Sequence, residues 1–343
     1  MRARIAIAAA LTAGLGLLGA ATATASPMST DPTAPTTPTT PDMPGMSMDM
    51  PGMNMPSTGT QAKAKPPASL SAAMQRSQQK PIFLQAKLTG ANEVPVAGKP
   101  AVGDPKGSAT GIVEVQGNKV TYAFSWKGIS APTLGHIHEG VAGVNGDVKV
   151  PLFGTPMPDT VNAAAGTATI TDQATADGLR KNPAGFYLNL HTKEFPGGAV
   201  RGQLSPLRAT PDMLKLLQIG GLHALMSGFQ EVKAAPGEPK AGDPKANAVA
   251  FVRPSGTQVS FSFAWFGFQP TLAHIHKGTF GKNGPVVVPL IGTTVPEGVF
   301  AVSGTATGLD RALVSDIARH PLSYYANLHD AAFPGGAARG QLF

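Results

Sequence analysis

Residues 119–126, Lys-Val-Thr-Tyr-Ala-Phe-Ser-Trp, alternate polar and apolar positions with the two-residue period of a half-buried strand. Residues 259–265 repeat the pattern and end on Trp265, as the first run ends on Trp126. Residues 168–170 and 186–191 read as further short strands, divided from their neighbours by Gly, Pro and Asn turns. Two helical stretches, Gln173–Lys181 and Arg311–Arg319, precede the last strands, and residues 213–219 carry a third, shorter one. Many short strands at this spacing predict an all-β fold of antiparallel sandwich or barrel type. The two tryptophans read as core.

Self-comparison divides the chain. Leu134-Gly135-His136-Ile137-His138 returns as Leu272-Ala273-His274-Ile275-His276, and Asn189-Leu190-His191 as Asn327-Leu328-His329, both 138 positions on (274 − 136 and 329 − 191). Phe195-Pro196-Gly197-Gly198 and Arg201-Gly202-Gln203 return as Phe333-Pro334-Gly335-Gly336 and Arg339-Gly340-Gln341. Phe195 and Phe333 read as turn anchors. The expected organisation is a signal peptide over 1–25, a disordered linker over 26–80, a first domain over 81–204, a connector over 205–220 and a second domain over 221–343.

The first segment has Arg2 and Arg4, an apolar Ala-rich run and a small-x-small cleavage site, Ala23-Thr24-Ala25. It predicts export with cleavage after Ala25. The linker is rich in Pro, Thr and Ser and too poor in large apolar groups to offset its ordering entropy. Six of the 12 methionines cluster within residues 43–55 of it: Met43, Met46, Met48, Met50, Met53 and Met55. Without apolar companions they do not read as core. Thioethers are soft ligands suited to Cu(I), and low-complexity drift or sacrificial oxidation is the plainer alternative.

Glu93-Val94-Pro95, His-Ile-His, Asn-Leu-His and Phe-Pro-Gly-Gly-x-x-Arg-Gly-Gln together resemble the CHRD domain, named from chordin. The likeness spans both repeats, with Glu231-Val232-Lys233 departing from the pattern. It implies an extracellular β-rich domain and little about activity. A weaker likeness is to copper–zinc superoxide dismutases, which also place His-x-His on a strand. The chain lacks their cysteines and their zinc loop, so the resemblance does not carry the activity over.

The candidate chemistry sits in six of the 8 histidines. Side chains two apart on a strand share a face, so His136 and His138 project together while Ile137 turns to the core. His191 shares its face with Tyr187 and Asn189, and a third imidazole from that strand completes a ligand set. His274, His276 and His329 duplicate it. Imidazoles suit Cu(II) and Zn(II), and with no cysteine in the chain copper is the preferred ion and zinc the alternative. The bland alternative is a hydrogen-bonded cluster pinning strands together. Glu93 with Arg201, and Glu231 with Arg339, are matched charges. They read as buried structural pairs, or as groups that orient a ligand histidine and attract an anion to the open position.

The net charge of +7 is spread thinly, with no run of like charges, and gives no nucleic-acid footprint. No stretch is long enough to span a membrane in the mature chain. Phosphate-cradling loops, nucleophile elbows and HExxH are missing, and nothing marks a catalytic residue. Three functions follow, in order of preference: a secreted copper-binding protein, an envelope or matrix binding module, and a dismutase-like redox enzyme.

Overall fold

The computed structural model describes residues 68–217 and 219–343. The expected signal segment and the six linker methionines lie outside the described residues. Helix α1 (Ala68–Ser77) falls inside the stretch expected to be disordered. Its sequence is free of Pro, directly after Pro66-Pro67, and lets a helix start where the proline-rich composition stops.

The first repeat contains β1 (Ile82–Thr89), β2 (Ser108–Gln116), β3 (Lys119–Lys127), β4 (Leu134–Glu139), β5 (Val148–Phe153), β6 (Val161–Thr169), β7 (Phe186–His191) and β8 (Val200–Gln203). Hydrogen-bonded neighbours run β6-β3-β2-β1-β8-β7-β4-β5, all antiparallel. The short β9 (Ser205–Pro206) adds to β1. The second repeat reproduces the order as β15-β12-β11-β10-β17-β16-β13-β14. Its strands are β10 (Leu222–Ser227), β11 (Asn247–Ser255), β12 (Gln258–Phe266), β13 (Leu272–Lys277), β14 (Val286–Ile291), β15 (Val299–Ala306), β16 (Tyr324–His329) and β17 (Ala338–Gln341). Each repeat is a β-sandwich over a core that takes the inward residues of every strand, among them Tyr122, Phe124, Trp126, Ile137 and Leu188.

Helices α2 (Gln173–Lys181) and α3 (Arg311–Arg319) occupy the spans the sequence implied. Asp172 caps α2 by accepting from the backbone N–H of Ala174 and Thr175, and Asp310 caps α3 through Ala312 N–H. Leu179, and Val314 with Ile317, fasten them to the core. The connector forms one 3₁₀ turn, Met213–Leu216.

The sequence marks β6 only from residue 168, whereas the strand begins at Val161. Its run of Ala and Gly has weak strand preference, and pairing overrides it. β6 is sandwiched between β3 and β15, so the two repeats share one sheet. The β6–β15 register is reciprocal: Val299↔Gly166, Ala301↔Ala165, Val302↔Ala164, Ser303↔Ala163 and Gly304↔Val161. Positions 138 apart being equivalent, the seam has pseudo-twofold symmetry about Ala164 and Val302, the geometry of an isologous interface. Leu217 of the connector packs over it with Ala123, Ala163, Ala165 and Ala301. Each repeat thereby covers the other's exposed strand edge.

Candidate metal centre

β4, β7 and β8 lie side by side, with Ile137, Leu188, Leu190 and Val200 in the core. The alternate residues point to the opposite face. There the register lines up His136, Asn189 and Arg201 in one row, and His138, Tyr187 and Gln203 in the next. β4 meets β5 with register shifts on either side of the His136–Ile137 pair, irregularities that re-aim side chains beside a site.

His136, His138 and His191 each bring one ring nitrogen within 4.8 Å of the other two. His136 Nδ1 lies 3.2 Å from His191 Nε2. The Nδ1 atoms of His138 and His191 are held by backbone carbonyls. His138 Nδ1 donates to Gly146 O at 3.0 Å and His191 Nδ1 to Pro196 O at 3.0 Å. A carbonyl only accepts, so each Nδ1 carries the proton and each Nε2 presents a lone pair to the pocket. His138 Nε2 is buried with no hydrogen-bond partner. A buried acceptor left unpaired costs about 1–3 kcal/mol, and a cation would satisfy it.

The second repeat copies this closely. His274 Nδ1 and His329 Nε2 are 3.2 Å apart, His276 Nδ1 donates to Gly284 O at 2.9 Å and His329 Nδ1 to Pro334 O at 2.9 Å. His276 Nε2 is again buried and unpaired. Burial, helped by the neighbouring imidazoles, pushes His136 and His274 down to about 4. The other four ligand candidates are also lowered, burial being the main cause. All six rings are therefore neutral near pH 7, the form that binds metal.

The donor set fits a borderline metal ion. Nitrogens bound at 2.0–2.1 Å stand roughly 3.3–4.1 Å apart around one ion, so closing the trio needs movements of about 1 Å or less. Each trio can thus hold a metal ion through His136 Nδ1, His138 Nε2 and His191 Nε2, or their counterparts.

The matched charges do not act as expected. Glu93 orients no histidine, since the carbonyls of Gly146 and Pro196 do that work. Nor does it form an ion pair with Arg201. Its carboxylate takes a long, 3.5 Å bond from Asn189 Nδ2 and lies against Gly198. A Cβ on Gly198 would come within 2.8 Å of that carboxylate, and the residue has φ 138°, so glycine is required there twice over. Burial pushes Glu93 up to about 7 against the opposing pull of Arg201, and Glu231 likewise.

Arg201 does not face the trio's open side. Its guanidinium lies 3.4 Å from the centre of the Tyr187 ring, and Tyr187 stacks on His138 at 4.8 Å. It donates to Val141 O (3.0 Å), Val144 O (2.7 Å) and Asn145 Oδ1 (3.0 Å), pinning the 140–147 loop that carries Gly146. Arg339 repeats these contacts on Tyr325, Thr279, Lys282 and Asn283. Gln203 Nε2 ties the same loop down through Gly140 O at 2.6 Å. Tyr187, Asn145 and Gln203 were not singled out as site residues by the sequence, although their duplication as Tyr325, Asn283 and Gln341 was visible.

The fold and its pockets define a class: a tandem β-sandwich protein with a three-imidazole pocket on the outward face of each sandwich. The model of the CHRD domain matches residues 84–204 and again 222–342. The chain belongs to the CHRD domain family, in two tandem copies. No curated protein matches it.

Proposed function

We propose that the chain is a secreted metal-binding protein holding one ion per repeat, copper by preference and zinc as the alternative. The observation that carries this reading is the unpaired, buried Nε2 of His138, matched by His276, aimed where two further imidazole nitrogens converge. Backbone carbonyls fix the tautomers of two rings in each trio, the outer support expected of ligand histidines. The chain has no cysteine, so thiolate sites are excluded and nitrogen donors set the preference. Secretion rests on the basic, apolar, small-residue start of the chain, and the methionine arm supplies soft donors for Cu(I).

Metal uptake asks little of the protein. Without an ion, His136 Nδ1–H donates to His191 Nε2. To bind, His136 moves that proton to its Nε2, leaving three lone pairs on one point. A bound copper ion would supply Lewis-acid or one-electron chemistry at the remaining position.

Reconstitution with Cu(II) or Zn(II) followed by elemental analysis tests the reading. Two ions per chain are expected. One is lost in His136→Ala/His138→Ala and the other in His274→Ala/His276→Ala. A chain that stays metal-free after exposure to both ions ends the proposal. If the variants lose melting temperature with no metal effect, the trios are structural, as the envelope or matrix module requires. The dismutase-like reading has less support, because Arg201 is committed to Tyr187 and the loop carbonyls rather than to an incoming anion.

A further inference from the structure

We infer that the two trios are a graded pair, the second repeat holding a divalent cation more tightly because the buried carboxylate of Asp330 stands beside His329. This rests on the metal-binding reading and deepens it. The ligands, their carbonyl partners and the Tyr–Arg stack are the same in both repeats. The residue after the last ligand is not: it is Thr192 in the first and Asp330 in the second.

Asp330 is only 7% exposed and forms no ion pair among the described residues. Its Oδ1 accepts from Ala332 N–H (2.8 Å) and Phe333 N–H (2.6 Å). Those bonds shape the turn whose next carbonyl, Pro334 O, holds His329 Nδ1. Thr192 fills the same place with a neutral hydroxyl, Oγ1 accepting from Phe195 N–H at 3.1 Å. Geometry is thus preserved while a full negative charge is added next to one ligand. The carboxylate is buried, directly follows the ligand in the chain and sits in the turn whose Pro334 carbonyl holds the ring, so water screens its field little. An anion buried beside a ligand attracts a metal dication bound there.

Other charges also differ between the repeats. Asp147, replaced by Pro285, follows Gly146 in the first loop, but it is exposed. Glu139, replaced by Lys277, is exposed and bound to Lys149 at 2.9 Å, and Lys277 is itself bound to Asp316 at 3.3 Å. Exposed and paired charges are screened by water and salt, whereas a buried one keeps most of its field. Lys193 and Glu194, replaced by Ala331 and Ala332, are likewise exposed, so the buried Asp330 decides the difference.

The test uses the full chain with one trio disabled at a time, by His136→Ala/His138→Ala or His274→Ala/His276→Ala. Zn(II) affinity is measured by competition with a chromophoric chelator. The second-repeat site should bind about tenfold more tightly. Asp330→Asn, which keeps the Oδ1 acceptor and removes the charge, should erase the gap. Asp330→Thr, the residue the first repeat already uses, should do the same, and Thr192→Asp should tighten the first site. Equal affinities, or a gap that survives Asp330→Asn, overturn the inference while leaving metal binding intact. Absence of zinc and copper from both sites overturns the parent reading and this one with it.

Discussion

Replacing Arg201 by Ala tests how the pocket is built, with the second repeat as an internal control. The guanidinium is 1% exposed and gives three hydrogen bonds to the 140–147 loop besides lying on Tyr187. Charge-assisted bonds contribute about 1.5–3 kcal/mol each when fully buried, and about 1 kcal/mol each is the better figure where water can replace the loop's partners. The ring contact adds about 1–2 kcal/mol. Relief of the buried cation's desolvation offsets part of this, leaving a loss of about 3–4 kcal/mol. Functionally, the loop would no longer present Gly146 O to His138 Nδ1. Loss of such a ligand-orienting contact weakens metal binding about 10- to 100-fold. Hydrogen exchange should therefore speed up over residues 141–147 and not over 279–285. Metal retention should fall at the first trio alone. Unchanged exchange in the first loop, or equal metal loss from both trios, would refute the role assigned to the arginine.

Two more expectations follow from the pKa directions and from packing. In metal-free protein, histidines held below their ordinary value bind fewer protons folded than unfolded, so their contribution is present above pH 6.5 and lost as pH falls through about 4. Glu93 and Glu231, raised to about 7, act oppositely: their contribution is present below pH 4.5 and lost as pH rises through 7. Six histidines outweigh two carboxyls between pH 4 and 6.5, so melting temperature should peak near pH 6–6.5. Allowing for solvent screening, the acid-side loss is about 1–2 kcal/mol per repeat, and Glu93→Gln/Glu231→Gln should flatten the decline above the peak. A melting temperature level from pH 4 to 6 would contradict this. Separately, a Cβ on Gly135 would lie 2.3 Å from the Phe153 ring, whereas the second repeat pairs Ala273 with the smaller Ile291. Gly135→Ala should cost about 1–3 kcal/mol in denaturant unfolding, and adding Phe153→Ile should recover most of it. Failure of the second change to rescue the first would place the strain elsewhere.

Much of this protein was written in local pattern. The alternation at residues 119–126, the helical spans before the last strands and the duplicated His-x-His with its later His were all readable. Period-two alternation and acidic N-caps act over a few residues, and duplication exposes itself by spacing. Only the tertiary structure decided which groups hold the imidazoles. Gly146 and Pro196 do so through backbone carbonyls, which every residue possesses and no side chain announces. Arg201 looked like a partner for Glu93 because opposite charges invite pairing, yet burial against Tyr187 and a ring of loop carbonyls won. The seam between β6 and β15 was equally hidden, since an Ala-rich edge becomes a strand only when a second edge arrives to pair with it.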